Sequence, residues 1–186
     1  GVGIDMYTQL PDERTLREIY LTPFEMALKA KPWSVMASYN LINGIYATEN
    51  KKLLDDVLRK EFGFDGVIMS DWGAVGDRAK ALKATLDLQM PCFSGAVGEL
   101  QKAYDDGFIT DEEIDFCVNN LIQLIYKCKN ADKKVEYTKE QRHQNAVDIA
   151  KEGVVMLKND NNLLPIKGKK VMIITADHPI PRIGGG

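Results

Sequence analysis

Three short apolar runs, Trp33 to Ser38, Val67 to Ser70 and Leu86 to Pro91, are separated by segments with helical spacing, and this alternation constrains the fold more than anything else in the chain. Strands joined through helices are not hairpins; they form βαβ units whose strands run parallel. Each run carries a polar group at its C-terminal end, Tyr39, Asp71 and Gln89. In parallel α/β folds the carboxyl ends of strands carry the reactive groups, because loops converge there while the strand behind holds them rigid. The pattern therefore predicts an α/β fold and reads as part of a barrel, although an open doubly wound sheet gives the same local alternation.

The second run is the most informative. After Val67 to Ser70 the chain delivers Asp71 and Trp72, and Gly73 then lets it turn. A carboxylate beside an indole suits sugar chemistry. The carboxylate can attack or stabilise a cationic anomeric carbon, and the indole face offers an apolar plate to the C–H groups of a pyranose. From spacing alone a second reading is open, in which Asp71 caps the helix that follows. Met36 and Tyr39 lie three apart, on opposite faces of a regular strand unless Tyr39 has already left it, and on spacing alone they read as core packing.

Around these strands the chain has clear punctuation. Asp12 can cap a short helix through Leu16, Ile19 and Tyr20, and Thr22-Pro23-Phe24-Glu25 reads as a second start with Phe24, Ala27 and Leu28 inward. Asn43-Gly44 predicts a turn, Asn50 a cap for a helix running to about Phe62, and Gly63 its stop. A helix of about ten residues is expected around Arg78 to Lys83. Beyond Ser94 the strands cease. Gly98 to Asp105 and Thr110 to Lys129 read as helices, the second with a Thr110/Glu113 capping box and a stripe of Ile114, Val118, Leu121, Ile122 and Ile125. The charged segment 130–139 reads as a linker. Glu140 to Leu157 then reads as a helix with Ala146, Ile149, Ala150, Val154 and Leu157 inward, and Lys169 to Thr175 as a buried strand opening a new α/β layer.

Composition narrows the function classes. With 186 residues, 45% hydrophobic, 27% charged and a net charge of −3, the chain is a foldable polypeptide without the basic excess of a nucleic-acid binder. No apolar run approaches the roughly 20 residues of a membrane span. Neither nucleic acid nor membrane is expected as a partner; neutral small molecules such as sugars fit better. Cys92, Cys117 and Cys128 lack close CxxC spacing, so they read as reduced thiols in a cytoplasmic or reducing setting and no metal is expected. No GxxxxGK[ST] or GxGxxG pattern occurs, so no nucleotide cofactor is expected. The two histidines, His143 and His178, are the only bases for a Ser-His-Asp triad. His143 reads as a solvated linker-helix residue and His178 as part of a strand-end loop. The start at Gly1 and the finish in Gly184-Gly185-Gly186 read as cut ends of a longer protein.

Four segments together resemble the β-glucosidase group of glycoside hydrolase family 3. They are Asp12 to Tyr20; Val35-Met36-Ala37-Ser38-Tyr39-Asn40 with Asn43-Gly44; Gly63-Phe64-Asp65-Gly66 leading to Ser70-Asp71-Trp72-Gly73-Ala74; and Leu157-Lys158-Asn159 with Leu163-Leu164-Pro165. The resemblance implies a (β/α)8 TIM-like barrel of which 1–129 is the C-terminal part with trailing helices, a linker at 130–139, and the start of an α/β sandwich domain at 140–186. It implies Asp71 as the catalytic nucleophile, with Trp72, Met36 and Tyr39 lining the subsite for the terminal sugar, and no cofactor. The expected activity is retaining hydrolysis of terminal β-D-glucosyl residues from β-glucosides or oligosaccharides. Other exo-glycosidases of the family, acting on xylosides, arabinosides or N-acetylglucosaminides, and a non-catalytic carbohydrate-binding fragment are the rival readings. The family's general acid/base Glu and its Arg and Lys-His sugar ligands would lie outside this sequence. Leu86 to Pro91 resembles the family's strand after the nucleophile, with Ala84-Thr85 where Ala-Gly is usual.

Overall fold

The computed structural model describes residues 8–9, 11–131, 136–168, 170–172 and 174. The chain divides into two units, Gly1–Asp132 and Lys133–Gly186.

In the first unit, a pair of parallel strands carries the centre. Strands β2 (Ser34–Ala37) and β5 (Val67–Ser70) run parallel in the register Ser34↔Val67 to Ala37↔Ser70, with helix α2 (Lys52–Glu61) between them in sequence, which is the expected βαβ unit. Asn50 Oδ1 accepts from the Leu53 amide at 3.1 Å, and Gly63 takes φ +70° just past the helix end, so both punctuation signals act as read. The turns of α2 are of the wide i→i+5 kind, closed by Phe62 N on Val57 O at 2.9 Å. Gly66 must lack a side chain: a Cβ there would sit 2.5 Å from the Trp33 carbonyl. Asn43 and Gly44 both have positive φ, forming a tight turn between β3 (Leu41–Ile42) and β4 (Ile45–Tyr46), and β1 (Thr8–Gln9) adds to β3 in parallel.

The core gathers around β5. Ile68 and Leu86 are fully buried and pack with Ala37, Leu54, Leu58, Phe64, Ala81 and Ala84; a second cluster joins Ala79 and Leu82 of α3 (Arg78–Lys83) to Ile109 and Cys117. Helix α3 has six residues rather than ten, and its cap is Asp77, whose Oδ1 accepts from Lys80 N at 3.0 Å. Helices α4 (Ala96–Asp105) and α5 (Asp111–Asn130) follow, and α5 begins with the expected Thr110/Glu113 capping box.

Several expectations are corrected. The segment from Leu86 to Pro91 is not a strand; it makes one parallel bridge, Met69↔Leu88, before its pairing with β5 changes character. Thr22 does not start a second helix. Residues 13–28 form one run, α1, through the segments Glu13–Thr15, Leu16–Leu21 and Thr22–Leu28, capped by Asp12 through a 2.7 Å bond from Thr15 N. Pro23 has no amide to donate, and its ring would strike the carbonyl four residues back. The wide turn ahead of it relieves that clash, and the single Thr22 hydroxyl proton lies between the carbonyls of Arg17 at 2.8 Å and Glu18 at 3.1 Å, the second of which Pro23 leaves without an amide partner. Phe24 and Ala27 are exposed, not inward.

On α5 the inward face is Ile114, Cys117, Asn120, Leu121 and Leu124, while Val118, Ile122 and Ile125 are exposed. The face is rotated because polar groups on it have buried partners: Asn120 Nδ2 donates to Asp87 Oδ1 at 2.9 Å and Cys117 Sγ to Leu86 O at 3.8 Å. Burial, with Asp87 nearby, pushes the Cys117 thiol up to about 12, so it stays protonated and serves as a donor.

In the second unit, α6 (Lys139–Gly153) has a Thr138/Gln141 capping box and ends four residues earlier than expected. Ile149, Val154 and Leu157 of its expected inward stripe are exposed, as is His143. Residues 170–172 and 174 of the expected strand at 169–175 are in no sheet; the rest of that strand and His178 lie outside the described residues.

Candidate active site

β5 delivers Asp71 at its carboxyl end. Its neighbour β2 extends the ladder one step further, Asp71 N bonding Ala37 O at 3.0 Å, so the backbone of Asp71 is fixed by the sheet itself. The carboxylate turns back on its own loop: Oδ1 accepts from Trp72 N at 2.6 Å and lies 3.1 Å from the Tyr39 hydroxyl. Because Asp77 caps the following helix, the capping alternative for Asp71 falls away.

Tyr39 has left β2, which ends at Ala37, and this is why it reaches Asp71 where regular strand geometry would not bring it. Its single hydroxyl proton lies between Asp71 Oδ1 and the Trp72 carbonyl, 2.7 Å away. Partial burial and the Asp71 carboxylate both push the phenol above its ordinary value, which keeps it a proton donor through neutral pH. Trp72 is 64% exposed, so its side chain is open to a ligand. The loop behind is anchored by Gly73 N on Met90 O at 2.7 Å and by the buried Thr48 hydroxyl on Ala74 O at 3.1 Å.

Met36 stands apart from this group. It pairs with Met69 across the two strands, is half exposed, and lines an apolar groove with Leu16, Tyr20 and Phe24 of α1 and Leu53 and Val57 of α2. Asp71, Trp72 and Tyr39 are thus linked by hydrogen bonds, and Met36 is not. Among the described residues no group of three or more His, Cys, Asp or Glu side chains is placed to hold a metal ion.

Beneath the site lies a buried ion pair that the spacing arguments do not find. Arg59 Nη2 donates to Asp87 Oδ2 at 2.7 Å, and the two side chains are 7% and 0% exposed. The other Arg59 donors reach Gly66 O at 3.0 Å, Thr85 O at 3.1 Å and Thr85 Oγ1 at 3.0 Å, and its guanidinium lies over the Phe116 ring at 5.0 Å. Asp87 Oδ2 also accepts from Ile68 N at 2.7 Å. Burial pushes the Asp87 carboxyl above its ordinary value while Arg59, Asn120 and the Ile68 amide pull it down. Thr85 has φ +70°, a conformation natural to glycine, and the two bonds it accepts from Arg59 hold it there. The signals were present as one arginine on the buried face of α2 and one aspartate inside the apolar run at 86–90.

A family model, the glycosyl hydrolase family 3 N terminal domain, matches residues 3–124. The chain belongs to glycosyl hydrolase family 3. Among its relatives is the thermostable β-glucosidase B of Acetivibrio thermocellus, 42% identical over 159 residues that cover 84% of this chain and 21% of that protein. An exo-α-(1→6)-L-arabinopyranosidase of Bifidobacterium longum is 40% identical over 190 residues, covering 93% and 24%. Of solved structures, β-glucosidase 3B from Thermotoga neapolitana in complex with glycerol superposes with a TM-score of 0.70 at 38% identity, over 85% of this chain and 24% of that one. The same enzyme in complex with α-D-glucose gives 0.70 at 37%. The chain therefore spans about a quarter or less of the length of these proteins.

Proposed function

We propose that this chain is the nucleophile-bearing part of a retaining β-glucosidase. The observation that carries the reading is the Asp71 carboxylate at the end of β5, oriented by Trp72 N and the Tyr39 hydroxyl beside an exposed indole. In this mechanism Asp71 attacks the anomeric carbon, the aglycone oxygen leaves with a proton from a second carboxyl, and water then hydrolyses the glycosyl-enzyme. Retention requires the two carboxyls about 5 to 5.5 Å apart. On this reading the second is a Glu outside the present sequence. Trp72 forms the apolar wall of the subsite and Tyr39 polarises Asp71, with Met36 as a further lining residue. Residues 1–129 form the C-terminal part of a TIM-like barrel with trailing helices, 130–139 the linker and 140–186 the start of an α/β sandwich domain, in a cytoplasmic enzyme without a cofactor.

A second reading within the family, an arabinopyranosidase, is favoured by the 40% identity to the Bifidobacterium longum enzyme over nearly the whole chain. The experiment that tests the proposal treats the full-length enzyme with 2-deoxy-2-fluoro-β-glucosyl fluoride and maps the label by peptide mass analysis. The label is expected on Asp71; a label on another carboxylate overturns the assignment, and preferential labelling by an arabinosyl reagent moves the specificity to the second reading.

Trp72→Ala in the same enzyme is expected to lower kcat/KM by about ten- to a hundredfold, mostly through KM, since it removes an apolar contact surface and leaves the charged groups in place. Steady-state kinetics on aryl β-glucosides checks it. Unaltered constants would make the indole a bystander.

A further inference from the structure

The pairing between β5 and residues 86–90 changes by one atom at the end of the strand, and that change reaches Asp71. A parallel ladder repeats every two residues on each strand. Leu88 N bonds Ile68 O at 3.1 Å and Ser70 N bonds Leu88 O at 2.9 Å, so the next pair in a regular ladder would be Met90 N to Ser70 O and Trp72 N to Met90 O. Neither forms. Met90 N bonds the Ser70 hydroxyl at 2.8 Å, and Met90 O accepts from Gly73 N at 2.7 Å and lies 3.3 Å from the same hydroxyl. Trp72 N, released from the ladder, turns to Asp71 Oδ1 at 2.6 Å. Ser70 is fully buried, so no water competes for its hydroxyl.

From this geometry we infer that Ser70 is a positioning residue: its side chain takes the place of its own carbonyl in the ladder and thereby frees the Trp72 amide to orient the Asp71 carboxylate. The physical reason is economy of donors. An amide held in a ladder cannot also bond a carboxylate, and a buried amide without an acceptor is costly. With the hydroxyl present, Met90 N, Gly73 N and Trp72 N all have acceptors while the loop keeps its slipped register. Without it, Met90 N has no acceptor in this register, and the ladder gains by closing regularly onto Ser70 O, which draws Trp72 N away from Asp71.

The inference rests on Asp71 being the nucleophile, and the test separates the two claims. In the full-length enzyme, Ser70→Ala is expected to lower kcat for an activated aryl β-glucoside by about 10- to 100-fold, the cost of a nucleophile displaced by a fraction of its attack distance, with KM changed less than threefold. Ser70→Thr keeps the hydroxyl and is expected to hold kcat within about threefold of the parent. Should the alanine variant not fold, Ser70→Cys, close in volume but a weak acceptor, takes its place against Ser70→Thr. Equal kcat for the hydroxyl-bearing and hydroxyl-free variants, or a loss carried by KM alone, overturns the positioning role. Asp71→Asn measured alongside reports on the nucleophile: if that variant retains turnover, the parent assignment has failed and the inference falls with it.

Discussion

Asp71→Asn in the full-length enzyme is expected to lower kcat by on the order of 10⁴-fold or more while leaving the unfolding midpoint nearly unchanged. The two effects separate because of how Asp71 is held. Its structural contacts are the two bonds that Oδ1 accepts, from Trp72 N and from the Tyr39 hydroxyl, and an asparagine carbonyl can accept both. What the amide cannot do is form the bond to the anomeric carbon. Rate measurement alone would not tell a nucleophile from an essential acid, so the sharper form uses Asp71→Ala with added azide. If Asp71 is the nucleophile, azide enters from its side of the ring and a β-glucoside yields the α-glycosyl azide. If Asp71 were the acid/base, the glycosyl-enzyme would form elsewhere and azide would yield the β product. Recovery of the β-azide, or turnover near the parent value in Asp71→Asn, would remove Asp71 from the role.

Much of the fold around this residue is legible from sequence for a local reason. The caps at Asp12, Asn50 and Thr110, the Asn43-Gly44 turn and the Gly63 stop each depend on a few adjacent residues, and the structure has all of them. The β2–β5 pair is legible too, because short parallel strands show as apolar runs, even though most of β2 is open to solvent here. What periodicity misreads are the places where a polar side chain acts as backbone. Leu86 to Pro91 has the composition of a strand, yet Ser70 Oγ takes the amide that would have continued the ladder. The α5 stripe is assigned to apolar residues alone, yet Asn120 and Cys117 face inward because Asp87 and Leu86 O need donors there. In the site itself, Asp71 and Trp72 follow from their place after a strand. The Tyr39 contact follows from nothing local, since it depends on β2 ending two residues earlier.

Arg59→Met is expected to destabilise the fold by about 3 to 5 kcal/mol at pH 7, the usual consequence of leaving a buried charge without its partner. Asp87 would retain only the Ile68 amide and Asn120 as donors, and the carbonyls of Gly66 and Thr85 would lose the guanidinium as well. Removing a hydrocarbon-lined arginine by methionine keeps most of the packing against Phe64 and Phe116, so the loss reports on charge and hydrogen bonding, not on a cavity. The pH dependence has a definite sign. Asp87 already has a folded-state pKa above its unfolded value, and removing Arg59 raises it further, so the folded variant binds a proton that the unfolded chain releases. Its deficit is therefore greatest above the folded pKa and shrinks as the pH falls toward the ordinary carboxylate range. Asp87→Asn in the Arg59→Met background removes the charge outright and is expected to recover a large part of the deficit at pH 7, a coupling that a double-mutant cycle in chemical denaturation would measure. A deficit that is flat with pH and additive with Asp87→Asn would mean that the pair contributes by shape alone. The consequence for the site follows from where the bonds land. Arg59 and Asp87 grip Gly66 O and Ile68 N at the start of β5, so the strand that carries Asp71 is fixed at its entrance by this pair and at its exit by Ser70.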